Sequence, residues 1–164
     1  MSGCFYFISE RFFKEFPDEY LMKNKDGKPG EFHDRPCFFS FRDVKHPKLL
    51  WLIPISSQVE KYKRIYHEKV EKYGYCSTIY FCNFLGNETT FLIQNMFPVT
   101  EKYIESIYLD KNEIEVRIDL RDEKKIIGLS KNILKAHGFG KRVLFADVEH
   151  IKKLLLKQSE FLFF

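Results

Sequence analysis

Residues Leu50–Tyr73 read LWLIPISSQVEKYKRIYHEKVEKY, and the order of residue types in this stretch sets the rest. It opens as an apolar strand, Leu50-Trp51-Leu52-Ile53, and Pro54 is expected to end that strand. Ser56 and Ser57 then place two hydroxyls side by side, and a basic amphipathic segment follows. A strand leading through paired hydroxyls into a cationic helix sets polar donors at a helix N-terminus, where backbone N–H groups already favour an anion. A phosphate suits that position. A plainer reading stands beside it: Ser57-Gln58-Val59-Glu60 has the spacing of a capping box, with Ser57 as N-cap and Glu60 at N3. Capping accounts for Ser57. It does not account for Ser56, or for the cations Lys61, Lys63, Arg64, Lys69 and Lys72.

The helical pattern runs from about Gln58 to Tyr73 and stops at Gly74, with Val59, Tyr62, Ile65, Tyr66, Val70 and Tyr73 as its apolar stripe. Upstream, Cys37–Phe41 and Leu49–Ile53 read as strands joined by a turn over Arg42–Lys48. In an antiparallel pair the start of one strand lies beside the end of the next, which brings Arg35 towards Ser56. Cys4–Ile8 reads as a first strand, and Ser9 as the cap of a short helix burying Phe12, Phe13 and Phe16. Lys23–Pro36, KNKDGKPGEFHDRP, is a loop by its glycines and prolines, and it carries Lys25, Lys28, His33 and Arg35.

Downstream, Tyr75–Phe84 and Thr89–Gln94 are expected strands joined at Gly86-Asn87. Thr100 is expected to cap a short helix to Tyr108, and Ile114–Ile118 to form an edge strand. Asp119 caps a helix to His137 with Leu120, Ile127, Ile133 and Leu134 inward; Asp147 caps the last helix; the tail Phe161–Phe164 is apolar enough to dock on the body or on another chain. Sheet elements with one early helix, then mainly helices, describe an α+β fold with an antiparallel or mixed sheet, and 164 residues suit one domain.

Hydrophobic residues at 45% and charged residues at 30% indicate a globular chain. A net charge of +4 permits a nucleic-acid partner without requiring one. The four cysteines form no CxxC pair, and neither a signal peptide nor a membrane-length apolar run is visible, so a cytoplasmic protein with reduced thiols is expected. No GxxxxGK[ST], HExxH, GxSxG or GxGxxG is present. Asp18, Asp26, Asp34 and Asp43 are scattered, so no metal and no cofactor is expected. RNA cleavage by such a chain would use the 2′-OH as nucleophile. Arg35, Ser56, Ser57 and Lys61 would face the charge that builds on the phosphate, and His33 would be the candidate for proton transfer.

Phe5-Tyr6-Phe7-Ile8-Ser9, Arg35-Pro36-Cys37-Phe38, Ile53-Pro54-Ile55-Ser56-Ser57 with Lys61-Tyr62, and Leu92–Val99 resemble the toxins of type III toxin–antitoxin systems, most closely the CptN/TenpN branch of the ToxN/AbiQ superfamily. The resemblance spans roughly residues 4 to 155. It implies a compact, highly twisted antiparallel sheet core with flanking helices, distantly similar to MazF/Kid. It also implies a metal-independent endoribonuclease. Such an enzyme cuts its own repeat RNA antitoxin and cellular RNA, is blocked by the bound RNA pseudoknots in a closed toxin–RNA hetero-oligomer, and in some members aborts phage infection. On this resemblance the family's hydroxyl pair falls on Ser56 and Ser57 and its early tyrosine on Tyr6. The family's basic residue after the strand-opening proline is Cys37 here, with Arg35 supplying the charge, and the first cation after the hydroxyls is Lys61. The RNA face is expected to include Lys25, Lys28, Tyr62 and Arg64, with Gln94 and Asn95 from the corner IQNMFPVTEKYI. Two other readings stay open: a MazF-like ribonuclease held by a protein antitoxin, and a non-enzymatic RNA-binding module.

Overall fold

A computed structural model describes residues 2–24, 35–140 and 143–160. Seven strands and four helices follow in the order β1 (Phe5–Ile8), α1 (Glu10–Glu15), β2 (Cys37–Arg42), β3 (Leu50–Ser56), α2 (Val59–Tyr73), β4 (Ile79–Phe84), β5 (Asn87–Leu92), β6 (Phe97–Val99), β7 (Ile104–Ile107), α3 (Leu120–Gly138) and α4 (Val148–Glu160). All pairings are antiparallel, in the order β4-β5-β3-β2-β1-β7, with β6 also paired to β3. This is an α+β fold. Among the described residues no helix is long and apolar enough to cross a membrane.

β3 is the pivot. Every residue from Leu50 to Ser56 is buried, as expected of a central strand covered on both faces. It pairs with β2 along one side, Phe38 opposite Ile53 and Cys37 opposite Pro54. Along the other side it pairs first with β6 at Leu50–Leu52 and then with β5 at Ile55 and Ser56. Pro54 therefore does not end the strand, as its sequence suggested. It lies in the gap where β3 exchanges β6 for β5, a place where a residue without an N–H is tolerated.

The aromatic content goes mainly into the core. The ring of Phe5 packs 5.5 Å from Phe38, 4.7 Å from Phe84 and 6.1 Å from Phe91. Phe12 from α1 meets Phe97 at 5.5 Å and Tyr103 at 5.4 Å. Helices close over this sheet: α2 on β4 and β5, α3 on β2, α4 on β6. A register shift between Phe39 and Phe41 marks a bulge, and the buried Ser40 within it hydrogen-bonds Ser130 of α3 at 2.7 Å.

Several expectations change. The stretch after Thr100 makes only one 3-10 turn, Glu101–Tyr103, before Ile104–Ile107 is drawn into pairing with β1, so sheet pairing overrides the helical spacing. Ile114–Ile118 is not a strand; one bridge, Leu109 to Glu115, is formed, because Asp110 turns the chain by accepting from the N–H groups of Asn112 and Ile114. The β4–β5 turn sits one residue earlier than expected, on Leu85-Gly86, both with positive φ (52° and 85°), the two-residue form that matches strand twist. Leu120 is exposed. The Lys25–Asp34 part of the loop and the Phe161–Phe164 tail lie outside the described residues.

Asp43 ties the β2–β3 turn to the core. Its carboxylate accepts from Trp51 Nε1 at 3.0 Å and from the backbone N–H groups of Lys45 and His46 at 3.0 Å each. Burial pushes its pKa up, but those bonds outweigh burial and leave it below the usual carboxylate range. A depressed folded-state pKa contributes stability that is present above the unfolded value of about 3.9 and is lost as pH falls through the folded value. Asp43→Asn is expected to lower stability at pH 7 and to flatten the acid-side loss. Urea titrations at pH 7 and pH 3 check this, and an unchanged acid limb would remove Asp43 from the account.

Candidate functional site

Where β2 begins and β3 ends, the hairpin, the first turn of α2 and the β4–β5 turn enclose a cleft of about 1000 Å³. Arg35, Ser56, Ser57 and Lys63 line it, with Tyr108, Phe84 and Leu85 as an apolar wall. The antiparallel register explains the convergence. Cys37 lies opposite Pro54, so Arg35, two residues before Cys37, meets Ser56, two residues after Pro54. Arg35 Nη1 donates to the Ile55 carbonyl at 2.7 Å, and its Nε donates to the Lys23 carbonyl at 3.3 Å. Burial holds its guanidinium below the usual arginine range, yet an arginine stays ionised at neutral pH. Among the described residues it forms no ion pair with a carboxylate. The first turn of α2 faces the same space through Val59 and Glu60, adding the positive end of the helix dipole.

The two hydroxyls differ. Ser56 is buried and its Oγ accepts from the Gln58 N–H at 3.1 Å. Ser57 is exposed; the N-cap residue of α2 is Gln58, and no side chain caps the helix. The capping box expected from Ser57 and Glu60 is therefore not formed. Ser56, one residue earlier, bonds the backbone at the helix entry, and Ser57 lines the cleft. Ser57→Ala is then expected to change stability by less than about 0.5 kcal/mol, whereas Ser56→Ala costs about 1 kcal/mol through its lost bond. Thermal melts of the two variants decide it; equal losses would return Ser57 to a capping role.

Lys61 is not in the cleft. It is exposed, with its ammonium 5.2 Å from the ring centroid of Tyr62. Lys63 is there instead, paired with Glu88 at 2.6 Å. Helical spacing contains this signal: Lys63 is one turn beyond Val59 and shares its flank, while Lys61 is more than half a turn away. Tyr6 is also absent from the cleft. Its neighbour Phe5 underlies the cleft wall, so Tyr6 points to the other face of the sheet, beside Phe39 at 5.7 Å. Burial, and then its hydrogen bond with Cys4, push its phenol up to about 12. Tyr108, unmarked in the sequence, supplies the cleft's tyrosine, its ring 5.0 Å from Phe7 and 6.1 Å from Phe84.

The expected RNA face is only partly assembled. Tyr62 is 8% exposed and packs with Ile79 and Leu92, so it is a core residue. Gln94 and Asn95 are buried and structural: Gln94 accepts from Lys69 Nζ at 2.8 Å, and Asn95 donates to the Tyr20 carbonyl at 3.2 Å. Arg64 is exposed on α2, outside the cleft. Lys25, Lys28 and His33 lie outside the described residues. Glu60 and Glu88 also line the cleft, so its two cations and two carboxylates balance formally; Lys63 is the cation paired with Glu88. Burial pushes the Cys37 thiol up to about 12, so it is neutral and no nucleophile at pH 7. Among the described residues no group of three His, Cys, Asp or Glu side chains could hold a metal ion.

No protein-family model matches the sequence, and no curated protein matches it. Among solved structures the chain is similar to AbiQ, a lactococcal anti-phage endoribonuclease belonging to the type III toxin–antitoxin system. The TM-score is 0.67 at 11% identity, over 98% of this chain and 99% of that one. It is also similar to a structure from a bacterial antiviral system regulated by a processed non-coding RNA, with a TM-score of 0.63 at 14% identity, over 92% of this chain and 95% of that one. The chain thus has the AbiQ fold over nearly its whole length.

Proposed function

We propose that this chain, acting as one domain, is an endoribonuclease toxin of a type III toxin–antitoxin system. The observation that carries this reading is the meeting of Arg35, Ser56 and Ser57 at the N-terminal end of α2. Support comes from the fold shared with AbiQ and from the chemistry that phosphodiester cleavage needs. The RNA 2′-oxygen attacks the adjacent phosphorus, the 5′-oxygen leaves with a proton, and a 2′,3′-cyclic phosphate remains. Negative charge accumulates on the non-bridging oxygens during this step. Arg35 and the Ser57 hydroxyl donate to them, and the first turn of α2 adds its dipole. Ser56 acts as a positioning residue by fixing the helix entry. Lys63 adds a second cation when the RNA phosphate competes with Glu88 for it. His33 is proposed for proton transfer, with Lys25 and Lys28 on the RNA backbone. Donors of this kind stabilise the developing charge directly, and the proposed reaction uses no metal. The partner is a folded repeat RNA antitoxin in a closed toxin–RNA assembly, with cellular RNA as the other substrate.

The test is cleavage of single-stranded RNA in excess EDTA, with analysis of the product ends. Undiminished cleavage leaving 2′,3′-cyclic phosphates is expected, with strong loss in Ser57→Ala despite its intact stability. Activity that disappears with the chelator and returns with Mg²⁺ removes the metal-free mechanism; binding without cleavage by the wild type leaves only an RNA-binding module.

A further inference from the structure

A second groove, of about 630 Å³, lies between the C-terminal end of α2, the segment after it, and α3. Tyr73, Tyr75 and Phe145 line it and are 61%, 69% and 41% exposed. Tyr20, 48% exposed, stands edge-on to Phe145 at 6.3 Å. Among the described residues Phe139 is the one other exposed aromatic side chain, so nearly all of the exposed rings among them gather here. The cause is local. Tyr62, Tyr66, Lys69 and Tyr73 follow one another at helical spacing, and only the start of that stripe is covered by the sheet, with Tyr62 buried against Ile79 and Leu92. The end of the stripe overhangs it.

Cations sit against these rings. Lys69 Nζ is 5.9 Å from the centre of Phe145, and Lys72 Nζ is 5.1 Å from that of Tyr73. Lys69 is held in place by donating to Thr78 Oγ1 at 2.9 Å and Gln94 Oε1 at 2.8 Å, which uses two of its three donors. Exposed rings with ammonium groups beside them offer a nucleotide both of its halves: a stacking face for the base and a counter-charge for the phosphate. An apolar protein partner would have to desolvate those ammonium groups without return. Lys69 is the charged residue lining the groove, and its sign suits a polyanion. The cleft lies at the opposite end of α2, roughly 20 Å away along a helix of this length.

We propose that this groove is a second RNA site, binding unpaired nucleotides by stacking on Tyr73, Tyr75 and Phe145 and holding their phosphates with Lys69 and Lys72. The proposal rests on the reading of the chain as an RNA-acting protein and adds to it a contact remote from the cleft.

The experiment measures fluorescence anisotropy of a labelled, uncleavable 2′-O-methyl single-stranded oligoribonucleotide long enough to span both ends of α2. Wild-type protein is compared with the pairs Tyr73→Ser/Tyr75→Ser and Tyr73→Phe/Tyr75→Phe. The serine pair is expected to weaken binding by at least about tenfold, the scale of one to two lost stacks. The phenylalanine pair stays within about twofold because the rings remain. Cleavage of a short RNA at saturation is unchanged in both. Equal affinity in wild type and the serine pair overturns the groove while leaving the cleft's role intact. Loss of self-association in the serine pair with RNA affinity unchanged also overturns it, in favour of a second copy. Ring-dependent binding by a wild type that cuts no RNA upholds the groove and overturns the enzymatic reading. Neither binding nor cleavage overturns both.

Discussion

Arg35→Gln is expected to lower the single-turnover rate of RNA cleavage by about 10²–10³, the usual scale for removing one donor aimed at developing oxyanion charge. The stability cost should be far smaller, about 1 kcal/mol from the lost bond between Arg35 Nη1 and the Ile55 carbonyl. Arg35→Lys is not a full rescue. One guanidinium both grips the end of β3 and presents donors to the cleft, and an ammonium lacks the planar fork to do both. Rates and thermal melts on the same preparations check this. A glutamine variant that retains more than about a third of the wild-type rate would take Arg35 out of the mechanism.

The largest stability effect is expected at Phe5. Its ring is fully buried and touches Phe38, Phe84 and Phe91, which come from three other strands. Phe5→Ala removes the shared contact and leaves a cavity, at a cost of about 3–5 kcal/mol. For a domain with a typical stability of about 5–15 kcal/mol that is a large fraction. Because Phe84 also walls the cleft, RNA cleavage should fall with it. Phe139→Ala, on an exposed ring, is the control and should change stability by less than about 0.5 kcal/mol. Urea unfolding measures both, and similar midpoints for the two variants would contradict the core as described.

The residues that were legible in the sequence were those whose placement depends on local pattern and strand order. The apolar runs at Cys37 and Leu50 gave a hairpin, and the hairpin register alone carries Arg35 to Ser56. Gly74 ended α2 with a left-handed φ of 84°, as its position after the last periodic residue implied. What was not legible depends on partners distant in sequence. Pro54 looks like a strand breaker until it is known that β3 changes neighbours there. Ile104–Ile107 follows a good cap residue, yet pairing with β1 claims it. Tyr62 carries the residue type of a stacking platform, and only packing against Ile79 and Leu92 shows it to be core. Lys63 differs from these, since counting around the helix from Val59 already sets it, and not Lys61, on the flank that lines the cleft. The spacing of Ser57 to Glu60 fits a cap, but the chain enters α2 a residue later, at Gln58.

The central claim is that the cleft around Arg35, Ser56 and Ser57 cuts RNA by using the substrate's own 2′-hydroxyl. The most direct measurement takes one RNA that the protein cleaves at a mapped position and replaces only that nucleotide by its 2′-deoxy form. The account predicts that the modified RNA binds with nearly unchanged affinity and is not cut at that position, while the unmodified RNA yields a 2′,3′-cyclic phosphate there. Cleavage of the 2′-deoxy substrate at the same position would contradict it, because the nucleophile would then have to come from water or from the protein.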